Sequence, residues 1–378
     1  MKALPFAKVI PGGNPTIILP AMLVDNHTLP ALSQSLMGSN NIQAEQVGSL
    51  SLPPAGEALP HLQMMGGEFC VNATRACAAL LANAGQLQRS PSQCQIGYMT
   101  VSGVDTPVLV ATAPTAPLLQ QMITTLGSIS KKTPDTAPFN DCNIPNTLGT
   151  PSTLATPSTL DTLSSPLEGQ CTQGCLHPSV PPTVFPPDFS PCTAPMTGWI
   201  SSITVPFLHT AARLSSPITD NTIINLEKNM ALINLPGISH LLIPATADTM
   251  PSPHHCEALA QTYRSAYGLE AFPASGTIWY EEHADSYAIL PAVYVKATDS
   301  LCVETACGSA SLALALRMHS NKGVSHKESA TYTITQPSGE DLLVTIEPSY
   351  MRNGVSYHPI WVAGSTHIVA IGSTYTTT

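Results

Sequence analysis

The chain has 378 residues, a net charge of −10 and charged side chains at 10%, far below the roughly one-quarter usual in globular proteins. Its length allows two domains with separate cores, and the acidic balance excludes a nucleic-acid partner, since Lys131-Lys132 is the only adjacent basic pair. Ten cysteines in so long a chain do not make a disulfide framework, so a reducing compartment is expected.

The first residues carry Lys2, Pro5, Lys8 and Pro11 and lack the apolar run of a signal peptide. No stretch approaches the roughly 20 apolar residues needed to span a bilayer. A cytoplasmic protein without a membrane partner is the expectation. Lys8-Val9-Ile10-Pro11-Gly12-Gly13-Asn14 leads into a strand at Thr16-Ile17-Ile18-Leu19, and a helix is predicted after Cys70. Val108-Leu109-Val110-Ala111 reads as another strand. From Ser128 to Pro195 the pattern breaks into Thr150-Pro151-Ser152-Thr153-Leu154 and Thr156-Pro157-Ser158-Thr159-Leu160, too poor in apolar surface to offset its ordering entropy. It reads as an insertion or linker.

Beyond it, strands are predicted at Trp199–Val205, Ala231–Leu235, His240–Ile243 and Ala292–Val295, and a second helix after Cys307. Pro11-Gly12 followed by Ile17-Ile18-Leu19 and Pro20-Ala21 is echoed by Pro236-Gly237, Leu241-Leu242-Ile243 and Pro244-Ala245, which suggests a duplication. The domain reading is an N-terminal lobe over 1–127 with Cys70, the insertion over 128–195, and a C-terminal lobe over 196–378 with Cys307, whose last strands complete the N-terminal lobe.

Each cysteine stands where a turn enters an alanine- and leucine-rich helix. Backbone N–H groups at such an N-terminus stabilise a thiolate and hold a carboxylate. Two such thiols on opposite faces of one carbon are a base and an acid, which inversion of a stereocentre requires.

Cys70-Val71-Asn72-Ala73-Thr74-Arg75 and Glu304-Thr305-Ala306-Cys307-Gly308-Ser309-Ala310 resemble the two site motifs of the diaminopimelate epimerase superfamily, Cys-Gly-Asn-x-x-Arg and Glu-Thr-x-Ala-Cys-Gly-Thr/Ser-Gly. The segment from Lys8 to Asn14 is similar to the family's opening, and Ile233-Asn234-Leu235-Pro236-Gly237-Ile238-Ser239-His240 to its Val-Asn-x-Gly-Asn-Pro-His. The resemblance implies an α+β fold of two pseudo-symmetric lobes, each a curved β-sheet or barrel around a central helix, with the active site in the cleft between them. It implies a cofactor-independent amino-acid racemase or epimerase in which Cys70 and Cys307 alternate as base and acid. Asn14, Val71, Asn72, His240, Glu304, Gly308 and Ser309 would bind the substrate. Arg75 is read as forming a structural ion pair, Cys77 as core and Cys302 as a strand position.

Val71 replaces the family's glycine, and no counterpart of the Glu-Arg pair that clamps a second amino-acid head is found. A divergent, histidine-racemase-like member acting on a mono-α-amino acid fits best, with Glu304 or Asp299 as contacts for a basic side chain. The alternatives are diaminopimelate epimerase, a carboxylic-acid isomerase or dehydratase of the same superfamily, or a catalytically dead binding protein. No cofactor is implied. Cys171, Cys175, His177 and the run His254-His255-Cys256 lack the matching second pair of a structural zinc site. An assembly of two copies is compatible with this reading.

Overall fold

The computed structural model describes residues 2–38, 41–54, 57–90, 93–130, 208–217, 221–322, 328–352 and 355–376. In chain order the first part contains β1 (Lys2–Pro11), β2 (Thr16–Pro20), α1 (Leu29–Met37), β3 (Gln46–Ser51), β4 (His61–Met64), α2 (Val71–Asn83), β5 (Gln88–Arg89), β6 (Gln95–Val101), β7 (Val108–Ala113), α3 (Ala116–Ser130) and β8 (Leu208–Pro217). The second part contains β9 (Ile223–Asn225), β10 (Ala231–Leu235), β11 (Ile238–Pro244), α4 (Pro253–Ala266), β12 (Ala274–Glu282), β13 (Tyr287–Val295) and β14 (Ser300–Val303). It ends with α5 (Gly308–Asn321), β15 (Ala330–Thr335), β16 (Asp341–Ile346), β17 (Tyr350–Arg352) and β18 (Val355–Thr376).

Pairing runs β1-β2-β3-β4-β6-β7-β8-β18 and returns from β18 to β1, so the first lobe is a closed barrel. The second lobe follows the same plan through β10-β11-β12-β13-β15-β16 to β18. The long strand β18 therefore belongs to both lobes: Ile360–Ala363 pairs with β16, and Thr366–Thr376 pairs with β1. Closure leaves the first barrel no open edge for another chain to pair with.

The two lobes correspond element by element. The hairpin β1–β2 matches β10–β11, and crossover helices α1 and α4 join the parallel pairs β2–β3 and β11–β12. Helix α2 follows β4, which pairs in parallel with β6; α5 comes after β13 and the additional short strand β14, and β13 pairs in parallel with β15. The sequence echo lands on equivalent turns, with Gly12 at φ +63° and Gly237 at φ +74°.

Both central helices are buried nearly all round, Val71–Ala82 in α2 and Gly308–Leu316 in α5. Only a helix enclosed by its sheet buries every face. Alanines supply much of that surface: Ala73, Ala76, Ala78 and Ala79 are all 0% exposed, and their small side chains let the barrel wall approach the helix backbone. The continuous apolar run Ile17-Ile18-Leu19 is likewise fully buried, as a strand covered on both faces must be.

The two-lobed α+β architecture is as expected, and the strands read at Thr16–Leu19, Val108–Ala111, Ala231–Leu235, His240–Ile243 and Ala292–Val295 are all present. Helix α3 extends to Ser130, past the point where the insertion was placed. The remainder of that segment and the strand expected at Trp199–Val205 lie outside the described residues. No helix among the described residues is long and apolar enough to cross a membrane.

The turn between β10 and β11 tests how tightly the lobes are fitted. A Cβ on Gly237 would lie 2.8 Å from the backbone N of Phe69 in the first lobe, whereas one on Gly85 (φ +67°) meets nothing within 4 Å. Gly85→Ala should cost about 1 kcal/mol for the left-handed backbone alone. Gly237→Ala should cost about 2–4 kcal/mol because backbone must also move. Urea denaturation of the two variants checks the order; equal losses would contradict the close fit.

Candidate active site

Cys70 and Cys307 are the N-caps of α2 and α5, each in extended conformation (φ −118°, ψ 110° and φ −134°, ψ 106°). The Ala73 N–H donates to Cys70 Sγ at 3.3 Å, so the helix terminus already solvates the sulfur.

Each cysteine loop is seated on the opposite lobe. Ahead of Cys307, the Ala306 carbonyl accepts from Asn14 Nδ2 and from Asn72 Nδ2, both at 3.0 Å, and Thr305 Oγ1 donates to the Gly13 carbonyl at 2.8 Å. Ahead of Cys70, the backbone of Glu68 and Phe69 rests on Gly237. The two helix N-termini then abut: a Cβ on Gly308 would stand 2.8 Å from Val71 Cβ and 2.9 Å from Asn72 Oδ1. The valine in place of the family's first glycine is accommodated because its partner position is glycine.

Cys70 and Cys307 line one cleft, whose empty space including its mouth is ≈ 470 Å³. Its walls are apolar at Met65, Phe69, Val71, Ile238, Val293 and Val295, and acidic at Glu45, Glu68 and Glu304; among the described residues no Lys or Arg lines it. Cys70 Sγ donates to Gln46 Oε1 at 2.9 Å, and Gln46 Nε2 donates to Glu304 Oε1 at 2.9 Å. Glu45 accepts from Asn14 Nδ2 and the Thr305 N–H, and Glu68 from the Gly66 N–H. Cys307 Sγ lies 3.5 Å from Ser309 Oγ, which is 2.9 Å from His240 Nε2.

Burial without a cation sets the protonation of this cleft. It pushes the Glu304 carboxyl up to about 8, with Glu45 and Glu68 adding repulsion, and Glu68 up to about 7. Glu45 is also raised by burial, against its hydrogen bonds to Thr305 and Asn14. Both thiols are held well above the ordinary cysteine value by burial; Glu304 and Glu68 add to this at Cys70, and Glu304 at Cys307. Burial thus keeps the acids and thiols of the cleft protonated over a wider pH range than in water.

Of the residues selected from sequence, Cys70, Val71, Glu304, Cys307, Gly308 and Ser309 line the cleft. Asn14 and Asn72 stand behind it and fix the Ala306 loop, and His240, buried and driven down to about 3, orients Ser309 in its neutral form. Arg75 differs from expectation: instead of an ion pair it donates to the Thr210 and Ser365 carbonyls and to Asn72 Oδ1, tying α2 to β8 and β18. Cys77 is core, and Cys302 is on β14 yet also lines the cleft. Asp299 is exposed and accepts from Tyr294 Oη outside the cleft.

Sequence reasoning missed Glu45, Gln46 and Glu68 as lining residues, and Gln336, whose Oε1 accepts from the Cys307 N–H at 2.9 Å. Glu68 was findable, since it precedes Cys70 much as Glu304 precedes Cys307. Among the described residues no group of three His, Cys, Asp or Glu is placed to hold a metal; Cys171, Cys175 and His177 fall outside them.

A family model described as histidine racemase CntK N-terminal domain matches residues 3–126 and 194–375. Two histidine racemases from Fusobacterium nucleatum subsp. nucleatum are 44% and 43% identical over 82 residues, which is 22% of this chain and 28% of each relative. Among solved structures, a hydroxyproline epimerase from Agrobacterium vitis with bound trans-4-hydroxy-L-proline superposes with TM-score 0.55 at 8% identity, over 99% of this chain and 91% of the other. A probable proline racemase from Agrobacterium radiobacter K84 gives TM-score 0.52 at 7% identity, over 99% and 93%. These structural likenesses establish the shared fold.

The raised carboxyls make stability depend on pH. Because the folded state holds protons that the unfolded chain releases above about pH 4.5, stability should fall between about pH 5 and 8, through the value of about 8 at Glu304. Urea midpoints across that range, compared with Glu304→Gln, provide the check. The variant should show a shallower decline, and an unchanged slope would mean that Glu304 is not the buried acid described.

Proposed function

The chain belongs to the histidine racemase family, and from that premise we propose that it inverts the α-carbon of an amino acid by a cofactor-independent two-thiol mechanism. One observation carries the reading: the two cysteines that cap α2 and α5, the equivalent helices of a duplicated fold, open into a single cleft. A substrate α-carboxylate directed at the N–H groups that begin α2 and α5 is held by both helix termini, and the same donors stabilise the charge that develops as the α-proton leaves. One sulfur removes that proton and the other delivers one to the opposite face.

The substrate is a cationic amino acid, with histidine the leading candidate. Glu45, Glu68 and Glu304 offer negative charge to the α-ammonium and to a basic side chain, and a bound cation favours the ionised form of each buried acid. Diaminopimelate is the weaker candidate, because its second carboxylate finds no Arg or Lys in the lining. Both thiols are retained, which favours inversion over dehydration. The family match leaves out residues 127–193, which supports reading the Pro/Ser/Thr-rich segment as an insertion outside the catalytic module, in a cytoplasmic enzyme.

Incubation with a panel of L-amino acids and diaminopimelate, followed by chiral chromatography, tests the reading. The expected outcome is a D-enantiomer from histidine or another basic amino acid, and a loss of at least about 10³-fold in Cys70→Ala and in Cys307→Ala, each lacking one half of the acid/base pair. Full racemisation by either variant, or a clear preference for diaminopimelate, would contradict it. Replacing residues 131–193 by a short Gly/Ser linker should leave kcat within about threefold, since loop length adds little to closure cost; loss of activity in a folded variant would assign the segment to the site.

A further inference from the structure

Gln46 stands between a nucleophile and an acid, and its amide has one accepting end and one donating end. Its Oε1 accepts from Cys70 Sγ at 2.9 Å and its Nε2 donates to Glu304 Oε1 at 2.9 Å. This arrangement requires Cys70 to be a thiol and Glu304 Oε1 to carry no proton. Turning the amide over, which changes its shape hardly at all, requires the reverse: Nε2 then donates to a Cys70 thiolate and Oε1 accepts from a protonated Glu304. Thiolate beside carboxylate leaves one end of the buried amide mismatched whichever way it is turned, whereas a thiol beside a carboxylic acid protonated on Oε2 is satisfied in the observed orientation. The Glu304 carboxyl also faces the Cys307 thiol, so its charge is shared between Gln46 and the second cysteine.

We infer that Gln46 is a positioning residue that couples the proton on Cys70 to the charge on Glu304, so that Cys70 becomes a thiolate only while Glu304 is an acid. The exchange balances: Cys70–SH and Glu304–COO⁻ give Cys70–S⁻ and Glu304–COOH. The S–H bond breaks with its electron pair left on sulfur, an O–H bond forms at Oε1, and the net charge of the cleft is unchanged. The groups facing this pair are Glu68 toward Cys70 and Glu45, Glu68, Cys302 and Cys307 toward Glu304. None of them is a cation, so only this internal exchange creates a thiolate without adding negative charge to the cleft.

The consequence for catalysis rests on the two-thiol reading: the coupling arms Cys70 as base while Cys307, next to a neutral Glu304, keeps its proton as acid. The coupling itself is measurable without any substrate. Rates of iodoacetamide alkylation at Cys70, read by peptide mass spectrometry from pH 6 to 10, would be compared for the wild type, Glu304→Gln, Gln46→Met and the double variant. Glu304→Gln should raise the rate at about pH 9, where the wild-type carboxyl is ionised, about tenfold when Gln46 is present and less than about threefold when it is Met, because the amide transmits most of the effect. Equal fold-changes in the two backgrounds would leave only direct charge repulsion and overturn the proposal.

If the variants do not fold, infrared titration of the wild type decides. The Cys70 S–H stretch, assigned by its loss in Cys70→Ala, should shift in frequency in step with the loss of the buried carboxyl band as pH rises, because the amide that accepts from the thiol also contacts that carboxyl. An S–H band indifferent to that carboxyl would overturn the proposal. Failure of this coupling with racemisation intact would leave the functional reading standing, and the reverse result would leave the coupling standing.

Discussion

The meeting of two helix N-termini across the lobes is the constraint from which the site follows. Gly308 faces Val71 and Asn72 at van der Waals range, and the Ala306 carbonyl is gripped by Asn14 of the β1–β2 turn and Asn72 of α2. A larger residue at position 308 would separate the termini and move one thiol away from the other's side of the cleft. The barrels serve this contact. Arg75 pins α2 to β8 and β18 by backbone carbonyls, and the hairpin turns at Gly13 and Gly237 each support the cysteine loop of the other lobe. Each half therefore completes the half-site of its duplicate.

Electrostatics gives this geometry its direction. Two helix termini supply partial positive charge to the cleft, and the buried Glu68 and Glu304 with the half-buried Glu45 supply proton-dependent negative charge. An amino-acid zwitterion has the complementary layout. Burial disfavours the ionised form of these carboxyls, and a neighbouring cation favours it.

Much of this was legible in the sequence because local rules governed it. A cysteine between a turn and an Ala/Leu-rich run marks an N-cap, short apolar runs bounded by Pro and Gly mark strands, and the paired Pro-Gly echoes mark equivalent hairpins. Long-range pairing left no such trace. The closure of the first barrel depends on β18 meeting both β1 and β8. Glu45 and Gln46 reach the cleft only because β3 lies parallel to β2, and their sequence surroundings announce a strand and nothing more. Arg75 was misread for a related reason: an arginine one turn into a helix suggests an acidic neighbour, and only the tertiary structure supplies backbone carbonyls instead. His240 and the two asparagines lie near the chemistry and act through the backbone and hydroxyl groups they orient.

Isotope distribution during the first few per cent of turnover tests the central claim, two thiols acting on opposite faces of one carbon, most directly. With L-histidine in deuterium oxide, the account predicts D-histidine carrying solvent deuterium at Cα while the remaining L-histidine keeps its original hydrogen, because the sulfur that takes the proton is not the one that supplies its replacement. Deuterium entering both enantiomers equally from the outset would mean a single base serving both faces, and would contradict the account.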